Sequence, residues 1–160
     1  MNKINPAHIT ALMDLMNRGP YYRLLAMRLL AVDWGRSTVA IELQNDHLNP
    51  FGIVHGGALA SLIDTAAYWS VYCELAEGAG LTTIDLQVNY LNMATTGRIV
   101  AEGRSIKVGR SICLATADVR DAAGKLLAQG TAKMLVLAGR QSIQTAMAEL
   151  GQPDLPPKYC

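Results

Sequence analysis

His55-Gly-Gly-Ala-Leu-Ala-Ser-Leu-Ile-Asp64-Thr-Ala-Ala-Tyr-Trp-Ser-Val-Tyr-Cys73 is the longest apolar stretch of the chain, and Asp64 is the only charged residue between His55 and Glu74. Leu59, Ala60, Leu62, Ile63, Ala66, Ala67, Trp69 and Val71 run nearly the whole way round a helix, which predicts a buried helix from about Gly57 to Glu77, stopped by Gly78 and Gly80. Ser61, Asp64, Thr65 and Ser70 interrupt the stretch and basic flanks are absent, which argues against a membrane span. A carboxylate in such a helix loses hydration, so it must be paired or used. Asp64 is therefore either a reactive acid or a structural one bonded to a hydroxyl such as Thr65. Gly56 and Gly57 either offer free N–H groups to an acceptor or simply make a tight lead-in to the helix. At ~1.5 Å per residue, the seven residues from Gly57 to Asp64 span about 10 Å on nearly one helix face. One small carbonyl cannot touch both, so joint action on one substrate requires two copies of the helix.

The flanks read as β. Asn5 caps a helix led by Pro6, with Ile9, Leu12, Met13 and Met16 on one stripe, ending at Gly19-Pro20. Leu24 to Val32 and Thr38 to Leu43 read as strands joined around Gly35-Arg36, and a polar loop from Gln44 to Pro50 leads to the central helix. Beyond it, Thr83 to Tyr90 alternates, with Ile84, Leu86, Val88 and Tyr90 on one face. Arg98 to Val108 and Ser111 to Arg120 flank a two-residue Gly109-Arg110 turn of type II′, and Asp121 to Gly124 turns the chain into Leu126 to Leu137. This order predicts an α+β architecture: an antiparallel sheet, ending in a meander of four strands, wrapped on one long helix. The expected division is one domain over 1–138, including an N-terminal helix over 5–18, and an extension over 139–160. In the extension Ile143, Ala146, Met147 and Leu150 have helical spacing, Gly151 with Pro153 ends the helix, and Pro156 to Cys160 reads as a loose tail.

Composition removes several function classes. A net charge of +1 on 160 residues gives no reason to propose nucleic acid. The three cysteines, widely spaced, form neither a disulfide framework nor a metal-ligand pattern, and with no signal sequence they imply a reducing cytoplasm. His8, His47 and His55 lack helical metal spacing, and the chain has neither Gly-x-x-x-x-Gly-Lys nor Gly-x-Ser-x-Gly. No metal or resident cofactor is expected.

Asn49-Pro-Phe-Gly-Ile-Val-His55-Gly-Gly, followed nine residues after His55 by Asp64, the helix and the strands, resembles the hotdog-fold acyl-CoA thioesterases, specifically their phenylacetate-pathway, PaaI-like branch. The likeness runs from about Leu24 to Leu137 and implies a hotdog fold. It implies hydrolysis of acyl-CoA or aroyl-CoA thioesters, with coenzyme A present only as part of the substrate. It further implies a homodimer, alone or as a dimer of dimers, whose sheets pair edge to edge and whose active sites are shared. By the resemblance, Asp64 is general base or nucleophile, and the Gly57 N–H of the partner helix polarises the carbonyl. Asn49 and His55 orient the thioester and the water or support the loop, and Gly56 binds substrate. Thr83 falls where relatives carry a water-positioning serine; otherwise it is an ordinary strand residue. Arg104, Lys107, Gly109, Arg110 and Ser111 match the hairpin that holds the nucleotide, although such cations also serve simply to guard a sheet edge. Tyr68, Trp69 and Tyr72 either line an acyl pocket or belong to the core. The alternatives carried forward are a non-catalytic acyl-CoA-binding protein and a hotdog enoyl-CoA hydratase or dehydratase.

Overall fold

The computed structural model describes residues 3–149, 151–152 and 154–160. Its centre is a 16-residue helix wrapped by one six-stranded antiparallel sheet. Helix α1 (Pro6–Asn17) begins where the Asn5 side chain accepts the Ala7 N–H at 3.0 Å. A one-turn helix α2 (Pro20–Leu24) follows, where the sequence suggested that a strand begins at Leu24; Pro20 in the first turn starts a helix rather than ending one. Strands β1 (Met27–Asp33) and β2 (Arg36–Glu42) form a hairpin. After the central helix α3 (Gly56–Val71) come β3 (Ala79–Tyr90), β4 (Arg98–Val108), β5 (Ile112–Asp121) and β6 (Leu126–Ala138), and a short helix α4 (Ile143–Glu149).

The strand order is β1-β2-β4-β5-β6-β3, so the meander has three strands. β3 lies on the far side of β6, and the 91–97 segment carries the chain across to β4 beside β2. β1 and β3 are thus the two sheet edges. α3 lies close to the sheet because the strands beneath it carry small residues: Ala101, Ala115, Ala117, Ala128 and Ala132 are all fully buried. A Cβ at Gly103 would overlap the Ala66 carbonyl of α3, so the helix backbone rests directly on β4 there.

Four other expectations need correction. α3 ends at Val71, continuing as a single 3₁₀ turn, and Gly80 lies inside β3 instead of stopping a helix. The Lys158 ammonium donates to the Tyr72 and Leu75 carbonyls at 2.8 and 2.7 Å, so a tail residue caps this end. The β4–β5 connection has three residues, Gly109–Ser111, and Gly109 lacks the positive φ that a type II′ turn requires. The alternation of β3 slips at Ile84: Thr83 pairs with Met134 and Asp85 with Lys133, leaving Ile84 bulged and 54% exposed, while Thr83 faces α3. The C-terminal residues are not a loose tail. Asn5 and Cys160 donate backbone bonds to Lys158 and Lys3, Ile4 bridges Tyr159, and Lys158 is only 4% exposed. His8 Nδ1 lies 2.6 Å from the Pro156 carbonyl and Nε2 2.6 Å from the Tyr72 hydroxyl. The predicted contributions of Leu150 and Pro153 lie outside the described residues.

Candidate active site

Asp64 sits mid-helix on α3, partly buried, where the Thr83 hydroxyl donates to its Oδ1 at 2.8 Å. The β3 bulge aims that hydroxyl, and the same bulge accounts for both residues meeting. Burial pushes the Asp64 carboxyl above its ordinary pKa, and the Thr83 bond pulls it partly back. The hydroxyl partner is thus Thr83 of β3; no bond from Thr65 to Asp64 is present among the described residues.

The helix start is organised by histidines. His55 is the N-cap, with Nδ1 accepting the Gly57 N–H at 2.8 Å. A neutral His55 therefore carries its proton on Nε2. The Ala58 and Leu59 N–H groups both turn to the His55 carbonyl. This leaves the Gly56 N–H as the first-turn amide without an acceptor among the described residues, whereas the Gly57 amide assigned to the carbonyl by resemblance is already engaged. His47, missed as a functional support, is 3% exposed and its carbonyl accepts the His55 N–H at 2.8 Å. Its Nδ1 accepts from Gln44 N–H and its Nε2 lies 2.8 Å from the Leu25 carbonyl. The only trace of it in sequence is the Gln44-x-x-His47 spacing, which closes a reciprocal capping box. Asn49 Oδ1 accepts the Phe51 N–H at 2.9 Å, fixing the loop and leaving its amide NH₂ to other partners. Asn49 and Gly56 share a cavity of about 360 Å³ with Leu59 and Tyr90.

Asp64 opens on a different cavity, of about 490 Å³. Tyr22, Tyr68 and Trp69 line it together with residues of α4. The Trp69 indole N–H donates to the Tyr22 hydroxyl at 2.7 Å, which fixes both rings. Burial raises the Tyr22 hydroxyl pKa to about 12, so it stays neutral across the working pH range. Tyr72 does not line this cavity: it stacks with His8 and lies under the Lys158 ammonium, 4.5 Å from its ring centre. In one chain, then, the helix start and the Asp64 carboxylate serve two separate cavities.

Arg104, Lys107 and Arg110 are exposed on β4 and its turn and have no ion pair among the described residues. Arg36 of β2 lies directly opposite Arg104, a like-charge neighbour that sequence reading missed because it depends on β2–β4 pairing. Gly109 donates to the Ile112 carbonyl, and the Ser111 carbonyl accepts from Val136. Among the described residues no cluster of histidine, cysteine or acidic side chains could hold a metal, and no helix is long and apolar enough to cross a membrane.

An antiparallel sheet wrapped around one central helix, with a partly buried acid on that helix, defines a protein of the hotdog fold. The chain belongs to the thioesterase superfamily, whose model matches residues 51–128. Human acyl-coenzyme A thioesterase 13 is 30% identical over 98 residues, covering 60% of this chain and 69% of that protein. The solved zebrafish thioesterase superfamily member 2 is 28% identical with a TM-score of 0.68, over 78% of this chain and 93% of that one. A Haemophilus influenzae thioesterase, 21% identical, shares the fold with a TM-score of 0.78 over 88% and 97% of the two chains. The protein is therefore an enzyme of thioester hydrolysis.

Proposed function

We propose that this enzyme hydrolyses acyl-CoA thioesters, as a PaaI-like member of its superfamily, in active sites shared between two copies. The observation that carries this reading is Asp64: a partly desolvated carboxylate on an apolar helix, held by Thr83 and open to a cavity. A carboxylate with a raised pKa is suited to take a proton from water, or to attack the thioester carbonyl itself. The developing oxyanion needs a donor, worth ~10²–10³ in rate. The uncommitted Gly56 amide at the positive end of α3 supplies it, and the Asn49 amide NH₂, in the same cavity, and the preceding His55 orient the thioester.

Gly56 and Asp64 of one helix open on separate cavities, so the site is completed by a second chain. The β3 edge is the surface for that pairing. It exposes Ile84 and Tyr90, the segment after it exposes Leu91 and Met93, and Phe51 of the preceding loop is 88% exposed. Arg36, Arg104, Lys107 and Arg110 supply the positive charge for the phosphates of coenzyme A. The test is thiol release from a panel of acyl-CoA thioesters. Asp64→Asn should lower turnover at least ~10² while leaving the circular dichroism spectrum and oligomeric state intact. Near-wild-type turnover by a folded variant would reject a catalytic Asp64.

A further inference from the structure

The extension beyond β6 lies outside the 51–128 region that the superfamily model matches, yet it builds one wall of the cavity that holds Asp64. After β6 the chain crosses directly over β3: a Cβ at Gly80 would overlap the Arg140 and Gln141 carbonyls, so only a glycine lets the chain pass. Gln141 then takes a left-handed φ of 49°, and Ser142 starts α4 by accepting the Thr145 N–H on its hydroxyl at 3.2 Å. Buried Met147 anchors the helix, and Ile143 packs against the main core. Ile143 and Ala146 consequently line the cavity together with Tyr22, Tyr68, Trp69 and Asp64. The strap over 154–160, tied down by Lys158, follows immediately and packs Leu155 against the same core.

Resting on the thioesterase reading above, we infer that this cavity receives the acyl group and that α4 is its outer wall, with Ala146 and Ile143 setting the length of acyl chain accepted. The volume of about 490 Å³ is within the range of small-molecule pockets and far larger than an acetyl group needs. Met16, Tyr22, Tyr68, Trp69, Ile143 and Ala146 give it a continuous apolar lining beside Asp64, while Glu149 and the hydroxyls of Ser142 and Thr145 make the α4 side partly polar, which suits an apolar tail attached to a carbonyl with its far end toward solvent. Ala146 is the smallest side chain that α4 contributes, so enlarging it shortens the chamber without touching Asp64 or its Thr83 partner.

Two readouts test this. The first is kcat/KM for acetyl-, butyryl-, hexanoyl-, octanoyl- and decanoyl-CoA. Ala146→Phe should lower the octanoyl-to-acetyl ratio at least ~10-fold, with Ala146→Leu intermediate, and Ile143→Ala should move the optimum to longer chains. The second needs no catalysis. In a Trp34→Phe background Trp69 is the sole indole, and octanoate should change its fluorescence saturably, with affinity lost in Ala146→Phe. If folded Ala146 and Ile143 variants leave chain-length preference as it was, or octanoate is bound equally by Ala146→Phe, the inference is overturned. Ala146-dependent octanoate binding without hydrolysis of any thioester would uphold the chamber and overturn the thioesterase reading instead.

Discussion

Burial and, against it, the Thr83 hydroxyl together set how easily Asp64 ionises. The hydroxyl's bond to Oδ1 favours the carboxylate, opposing the burial that favours the neutral acid. Thr83→Val keeps the shape and removes the donor, so the Asp64 pKa rises further. If Asp64 acts as its carboxylate, the acid limb of the kcat/KM profile should move to higher pH in Thr83→Val. Thr83→Ser should restore the wild-type limb, and a limb that stays in place in the valine variant would detach Thr83 from the chemistry. At this scale much was readable beforehand: one acid in an apolar helix is visible in a string of letters. What stayed hidden was geometric. Bulging of Ile84 brings Thr83 inward, and the turn of the His55 ring takes up the Gly57 amide; neither follows from alternation or motif.

Among the elements, the strap is the clearest case of a sequence that misleads. Pro-Pro-Lys-Tyr-Cys has the composition of a frayed end, yet Lys158 is buried against two carbonyls at the end of α3. That contact joins residues 86 and 83 positions apart, and no local pattern encodes it. Burial lowers the Lys158 pKa from 10.5 to about 8, with consequences for stability. Between pH 8 and 9 the unfolded chain keeps the lysine proton that the folded chain has lost, so stability rises with pH, by ~1 kcal/mol over that unit. From pH 9 the buried Cys73 thiol, raised to about 11, opposes it, because the unfolded chain now loses a proton that the folded chain retains. Above pH 10 Tyr22, raised to about 12, and Tyr72, also raised, add to the decline. Urea midpoints should therefore climb from pH 8 to 9, flatten, then fall. Lys158→Met should lack the climb; a climb that survives in that variant would assign it to another group. The helix itself and most strands were legible because each has its own periodicity, whereas the place of β3 beside β6 rests on a crossing that no periodicity records.

The whole-molecule question is whether one site draws on two chains. Gly56 is the first residue of α3, where proline fits a helix, and His55 before it is already extended at φ −68°, ψ 137°. Gly56→Pro thus removes the proposed donor; the nearest atoms to its Cβ belong to the half-exposed Tyr90 ring, at 3.1 Å, which must give by a few tenths of an ångström. Homodimers of Gly56→Pro and of Asp64→Asn should each be nearly inactive. In a mixed dimer one site carries both lesions and the other neither, so activity should return to about half the wild-type value per dimer. Tagged, purified heterodimers as inactive as their parents would mean that each chain works alone. The expectation of pairing comes from the ~10 Å helix span; the two separate cavities, which support it, depend on packing that the sequence does not display.

The bridge between Ile4 and Tyr159 also gives the molecule a mechanical weak point. Lys3 and Cys160 lie on the same side of that antiparallel bridge, so tension applied at the two ends peels the strands apart one bond at a time instead of shearing them together. The Cys160–Lys3 bond breaks first and the Asn5–Lys158 bond next, after which Lys158 must leave its two carbonyls. The long sheet carries no load until then. Pulled by its ends, this protein would yield first at the strap, releasing the segment next to α4 while the sheet and its central helix stay whole.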